Sequence, residues 1–71
     1  MSLNYPNFNR IAMRIREKRK AKGMTQEKLA EHAGVTTQFI GFIEIGIKKP
    51  SFTTLFRIAE SLGTTIDPFV Y

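Results

Sequence analysis

The sequence predicts an all-α domain, a compact bundle of four to five short helices. Three observations lead there. Apolar residues recur at helical spacing from Phe8 onward. Gly23, Gly34, Gly46 and Gly63 fall at the ends of successive periodic segments, and no alternating apolar and polar run of the strand type occurs anywhere. At 71 residues the chain is one domain, near the lower size at which a single apolar core suffices without disulfides or metal. Its 42% hydrophobic and 24% charged residues match an ordinary globular domain rather than a disordered or membrane-spanning chain.

Residues 1–7 have no periodicity and contain Tyr5-Pro6, so they read as a flexible N-terminal arm ahead of a folded domain over 8–71. Across residues 8–22, Phe8, Ile11, Ala12 and Ile15 share one arc at about 100° per residue. Arg19 falls in the middle of that arc. An uncompensated buried charge costs about 3–5 kcal/mol, so Arg19 needs a partner from elsewhere in the chain.

Gly23 ends the first helix. Thr25 is a good N-cap for a second helix over 26–33, with Glu27 in the first turn, where the helix dipole favours an anion. Leu29, Ala30 and Ala33 point inward, and Gly34 stops it. After only Gly34-Val35-Thr36, Thr36 caps a third helix over 37–45. Two short helices joined by so tight a glycine-containing turn form a helix-turn-helix outline. Gly46 closes the third helix and Pro50-Ser51 starts a fourth over 52–62. Its broad apolar side carries Phe52, Leu55, Phe56, Ile58, Ala59 and Leu62 and is expected to be buried, opposite Thr53, Thr54, Arg57, Glu60 and Ser61. Past Gly63, Thr65 or Asp67 with Pro68 in the first turn caps a brief fifth helix carrying Ile66, Phe69 and Tyr71.

Several function classes drop out. With no cysteine and one histidine, neither a disulfide framework nor a zinc site is available, and no cofactor or small-molecule ligand is expected. His32 has no acid or nucleophile arranged around it and reads as an exposed helix residue. Without a nucleophile elbow, a phosphate-cradling glycine loop or paired acids, the chain is not expected to be an enzyme. No apolar run approaches the roughly 18 residues of a membrane span, and the N-terminus lacks a secretion signal's layout. The expectation is a soluble cytoplasmic protein without a membrane partner. The net charge is +5, and residues 10–22 hold seven cations against one anion, Glu17. A basic domain with its charge gathered on one element suits an anionic polymer, although a solvated helix face accounts for the same pattern.

The run Gly23-Met24-Thr25-Gln26-Glu27-Lys28-Leu29-Ala30 is followed in order by Gly34-Val35-Thr36, Ile40, Ile43-Glu44, Gly46, Pro50-Ser51, and Leu55 through Leu62-Gly63. This ordered set resembles the helix-turn-helix regulators of the phage repressor and Cro type, over about residues 15–69. The resemblance implies a lambda repressor-like fold and a sequence-specific transcriptional regulator, a repressor that binds double-stranded DNA. It supplies Glu44 as the partner of Arg19 in a structural ion pair. It implies phosphate contacts from Gln26 and Thr25 at the start of the second helix, with Lys48 and Lys49 as a second clamp. The third helix would lie in the major groove. Because Ile40 and Ile43 point inward, Thr37, Gln38, Gly41 and Phe42 are the candidates for base contact, and Gln38 can donate to and accept from an adenine edge.

One departure stands out from the family's pattern. Phe39, Phe42, Ile45 and Ile47 make the recognition region more apolar than usual, which fits readout of thymine methyl groups, extra packing or a protein-binding patch. Domains of this type bind in pairs to a palindromic operator, so a homodimer is expected, with the apolar side of the fourth helix near Phe56 and the tail at Phe69-Val70-Tyr71 as contact surfaces. The competing readings are a protein-interaction module using Phe39, Phe42, Ile45 and Ile47, the DNA-binding part of an antitoxin, and the DNA-binding end of a longer regulator.

Overall fold

Five helices follow one another in the computed structural model, which describes residues 8–70: α1 (Phe8–Ala21), α2 (Gln26–Ala33), α3 (Thr37–Glu44), α4 (Phe52–Ser61) and α5 (Asp67–Val70). The arm expected over residues 1–7 and the terminal Tyr71 lie outside the described residues, as do the side chains of Phe8, Asn9 and Val70. All regular structure among the described residues is helical. None of these helices is long and apolar enough to cross a membrane.

The helix starts follow from side-chain chemistry. Thr25, Thr36 and Ser51 each sit in extended backbone and accept the N–H three residues on, from Lys28 at 3.0 Å, Phe39 at 3.0 Å and Thr54 at 3.1 Å. Each such cap contributes about 1 kcal/mol relative to alanine. Between α2 and α3 the chain reverses at Gly34, whose φ of +73° is the left-handed conformation. Its N–H and that of Val35 both return to the carbonyl of Ala30, the latter at 3.0 Å, closing the end of α2. A β-carbon at Gly34 would meet nothing nearer than the Arg57 guanidinium at 3.8 Å, so backbone conformation rather than space requires glycine there.

The core is assembled from every helix: Ile11 and Ile15 of α1, Leu29, Ala30 and Ala33 of α2, Ile40 and Ile43 of α3, Leu55, Ile58 and Ala59 of α4 with the adjoining Leu62, and Phe69 of α5. Met24, Val35, Phe39 and Ile66 pack against its edge. Fully burying side chains of the larger kinds stabilises by about 1.5–3 kcal/mol each, and this shared cluster is what holds the short helices in place.

Two expectations about the apolar surface change. Phe52 and Phe56 were expected on the buried side of α4, yet they are 71% and 54% exposed. The buried stripe of α4, Leu55, Ile58, Ala59 and Leu62, covers about 100° of the wheel, and the two phenylalanines fall just past its edge. Phe69 was expected in a surface contact of the tail, but it is 1% exposed. It joins the core beside α1, so α5 closes the domain rather than offering Phe69 to a partner.

Candidate nucleic-acid interface

The phase of α3 decides which of its residues reach solvent. Ile40, Ile43 and Glu44 are buried. That rotation leaves Thr37 and Gln38 exposed, Gly41 and Phe42 half-exposed, and Ile45, the residue that caps the helix, exposed. Eight residues give a helix about 12 Å long, which the major groove of B-DNA, about 12 Å wide, admits. Thr37, Gln38, Gly41 and Phe42, the four expected base-contact residues, therefore lie along one side of one short helix. Phe39 is half-buried at the core's edge and does not belong to that side.

The inner side is fixed by a polar network that spans three helices. Arg19 of α1 donates from Nε to Glu44 Oε2 at 2.7 Å and from Nη2 to Glu44 Oε1 at 3.0 Å, a two-pronged bond at the C-terminal end of α3. Its Nη1 donates to the Met24 carbonyl at 2.8 Å. The guanidinium is thus paired on all three nitrogens while only 11% of its side chain is exposed. Its pKa is raised, chiefly by the hydrogen bond to Glu44 and also by that carboxylate's charge, against the opposing effect of burial. The raised value keeps the guanidinium charged through the ordinary arginine range, and its share of stability is lost at the alkaline end only as pH climbs through the raised value.

Gln26 completes this network by donating from Nε2 to Glu44 Oε1 at 3.0 Å. The contact joins the first residue of α2 to the last of α3, and no sequence pattern announces a bond between residues 18 positions apart. One of the two Nε2 protons is committed to Glu44, so the second is the one that can meet a phosphate. The amides of Gln26 and Glu27 point out of the same helix end, where the dipole favours an anion. Thr25 caps that end and is exposed.

Beyond α3 the chain is strapped back on itself. The N–H groups of Ile47 and Lys48 both bond to the Phe42 carbonyl, at 2.9 and 3.2 Å. Lys48 and Lys49 are exposed on this loop, and the buried Pro50 anchors its far end ahead of the Ser51 cap. The loop therefore carries its two cations from the end of α3 to the start of α4, while Gln26 and Thr25 occupy the start of α2. Ile45 and Ile47 are 60% and 63% exposed. Met13 and Arg16 of α1 border Ile45 across a surface depression of about 250 Å³.

Residues 15–69 match the helix-turn-helix family, a span that takes in all of the core but Ile11 and the whole of α2, α3 and the loop after α3. The chain belongs to the helix-turn-helix family of transcriptional regulators. It is 53% identical over 49 residues to an HTH-type transcriptional regulator of Methanothermobacter thermautotrophicus, covering 69% of this chain and 71% of that one. Among solved structures it is similar to the restriction-modification controller protein C.AhdI of Aeromonas hydrophila, with a TM-score of 0.85, 29% identity, and 87% and 94% of the two chains covered. It is likewise similar to the DNA-binding domain of the P22 c2 repressor, with a TM-score of 0.83, 25% identity, and 89% and 83% covered. In helix-turn-helix terms α2 and α3 are the paired helices and α3 is the recognition helix. As a member of that family, the protein is a regulator of transcription.

Proposed function

We propose that this helix-turn-helix protein is a cytoplasmic transcriptional repressor that binds a palindromic double-stranded operator as a homodimer. The observation that carries the reading is the orientation of α3, which presents Thr37, Gln38, Gly41 and Phe42 outward between two groups able to hold phosphate. Gln38 reads an adenine edge through its paired donor and acceptor, and Thr37 meets a neighbouring base with its hydroxyl or methyl. Gln26, through its second Nε2 proton and its backbone amide, and Thr25 bind one phosphate at the α2 end. Lys48 and Lys49 bind the strand at the other end of α3. These contacts set the position of α3 without conveying sequence. A helix of eight residues touches few base pairs, so two copies on half-sites one turn apart are needed for a useful operator length. The DNA-binding domain of the P22 repressor and the controller protein, both sharing this fold, support the reading.

The test is selection of bound sequences from a random duplex pool at near-physiological salt, with Gln38→Ala beside the wild type. The expected result is a two-fold symmetric motif, blurred in the variant at one A·T position of each half-site. Recovery of no motif, with only weak and steeply salt-dependent binding, would falsify the reading and leave the apolar surface at Phe42, Ile45 and Ile47 as a site for protein.

A further inference from the structure

The recognition helix has an unusual division of chemistry along its outer side. Its first turn offers two polar residues, Thr37 and Gln38, and from there on the outward positions are Gly41, Phe42 and the capping Ile45. The one charged residue of α3 is Glu44, which is 3% exposed and bonded to Arg19 and Gln26. The helix therefore presents no guanidinium or ammonium to the O6 and N7 of guanine and no carboxylate to the amino group of cytosine, which are the pairings that identify a G·C pair in the major groove. What it does present past Gln38 is hydrocarbon. The one apolar group on any base edge in that groove is the C5-methyl of thymine.

Gly41 sharpens the point. It lies inside α3 with ordinary helical backbone, outside the set of glycines at positive φ. A β-carbon there would meet only Gln26 Oε1, at 3.8 Å, an ordinary contact. Neither conformation nor internal space asks for glycine, and glycine in a helix interior is less favourable than alanine. The low point it makes in the helix surface lies between Gln38 and Ile45 and beside Phe42, where a base edge can come close to the backbone.

We infer that Gly41, Phe42 and Ile45 form an apolar step that reads thymine C5-methyl groups, so that each half-site has an A·T core with thymines placed against Phe42 and Ile45. The inference rests on α3 entering the major groove, as proposed above. It assigns the exposed apolar residues of the recognition helix to the operator rather than to a protein partner, because they continue the same side of the same helix as Gln38.

The experiment replaces each thymine of the selected half-site, one at a time, with deoxyuridine, which keeps every hydrogen-bonding group and removes only the methyl. Wild-type protein is expected to lose about fourfold in affinity for each buried methyl removed, at one or two positions and not at the others. Phe42→Ala and, separately, the exposed-site variant Ile45→Ser should each bind thymine and deoxyuridine duplexes alike at one of those positions. Since the wild-type comparison alters the DNA alone, its result does not depend on the folding of any variant. Recovery of a motif whose thymines can all be replaced without change would overturn the inference while leaving sequence-specific DNA binding intact. A guanine selected opposite Ile45, with Arg16→Ala relaxing it, would overturn it too, by assigning that position to the neighbouring cation. Failure to recover any motif removes the DNA-binding reading itself, and the step with it.

Discussion

The inner and outer sides of α3 are built to different standards. On the inner side Ile40 and Ile43 are fully buried and both carboxylate oxygens of Glu44 have partners. On the outer side the protein leaves Gln38 and Thr37 in solvent, keeps a helix-weakening glycine at 41, and exposes Ile45. The inner side is what folding requires, whereas the outer side forgoes stability that alanine at 41 or a polar residue at 45 would supply. A region that declines stabilising residues available to it is serving something outside the molecule. Variants that separate stability from DNA affinity put this contrast to the test.

The largest effect belongs to the inner side. Glu44→Ala leaves the Arg19 guanidinium buried without its carboxylate and releases Gln26, which should destabilise by about 3–5 kcal/mol. That is close to all that one core supplies in a domain of this size, so the variant should be largely unfolded in urea titration. The double replacement Arg19→Met with Glu44→Leu removes the stranded charge and should recover most of the stability. A loss under about 1 kcal/mol for the single variant would mean that the pair is structurally dispensable and that the inner side tolerates charge as the outer side does.

An opposite pattern is expected from Gly41→Ala. The variant should raise stability by about 1 kcal/mol, because a β-carbon has room inside the protein and alanine is the better helix former. It should also weaken binding to the selected operator, because the same β-carbon fills the low point against which the base edge would seat. Thermal denaturation and a binding titration on one preparation measure both. A rise in stability with unchanged or tighter binding would show that the glycine gives no clearance to DNA and that the two sides of α3 differ less than their residues suggest.

The inner side was also the more legible in the sequence. Thr25, Thr36 and the intervening Gly34 fix the ends of α2 and α3 by local chemistry, because a cap bond or a left-handed glycine needs no distant partner. Arg19 announced its need for a counterion by falling inside an apolar arc, but the identity of that counterion came from the family resemblance, since a wheel says nothing about which residue will arrive from 25 positions away. The bond from Gln26 to Glu44 was invisible for the same reason. Phe52 and Phe56 show the converse failure: a wheel gives the width of an apolar face, while the width that neighbouring helices cover is a tertiary property. Phe69 was misplaced because a helix of four residues has too little length to display a period. For the outer side, periodicity named Thr37, Gln38, Gly41 and Phe42 by exclusion, as the residues left over once Ile40 and Ile43 point inward. What they touch is a matter of the partner's chemistry.

The smallest effect should come from the loop that borders the outer side. Lys48 is exposed, and its backbone rather than its side chain ties the loop to α3, through the bond from its N–H to the Phe42 carbonyl. Lys48→Ala keeps that bond, so stability should change by no more than about 0.5 kcal/mol. If the ammonium neutralises one phosphate, removing it should lower the slope of log affinity against log salt by about 1 and weaken binding to all sequences about equally. Titrations of the selected operator and of a scrambled duplex at several salt concentrations separate the possibilities. An equal loss on both duplexes with the reduced slope assigns Lys48 to the backbone and leaves specificity to α3. A loss confined to the selected operator would mean that the loop reads bases, and the division between a positioning rim and a reading helix would then have to be redrawn.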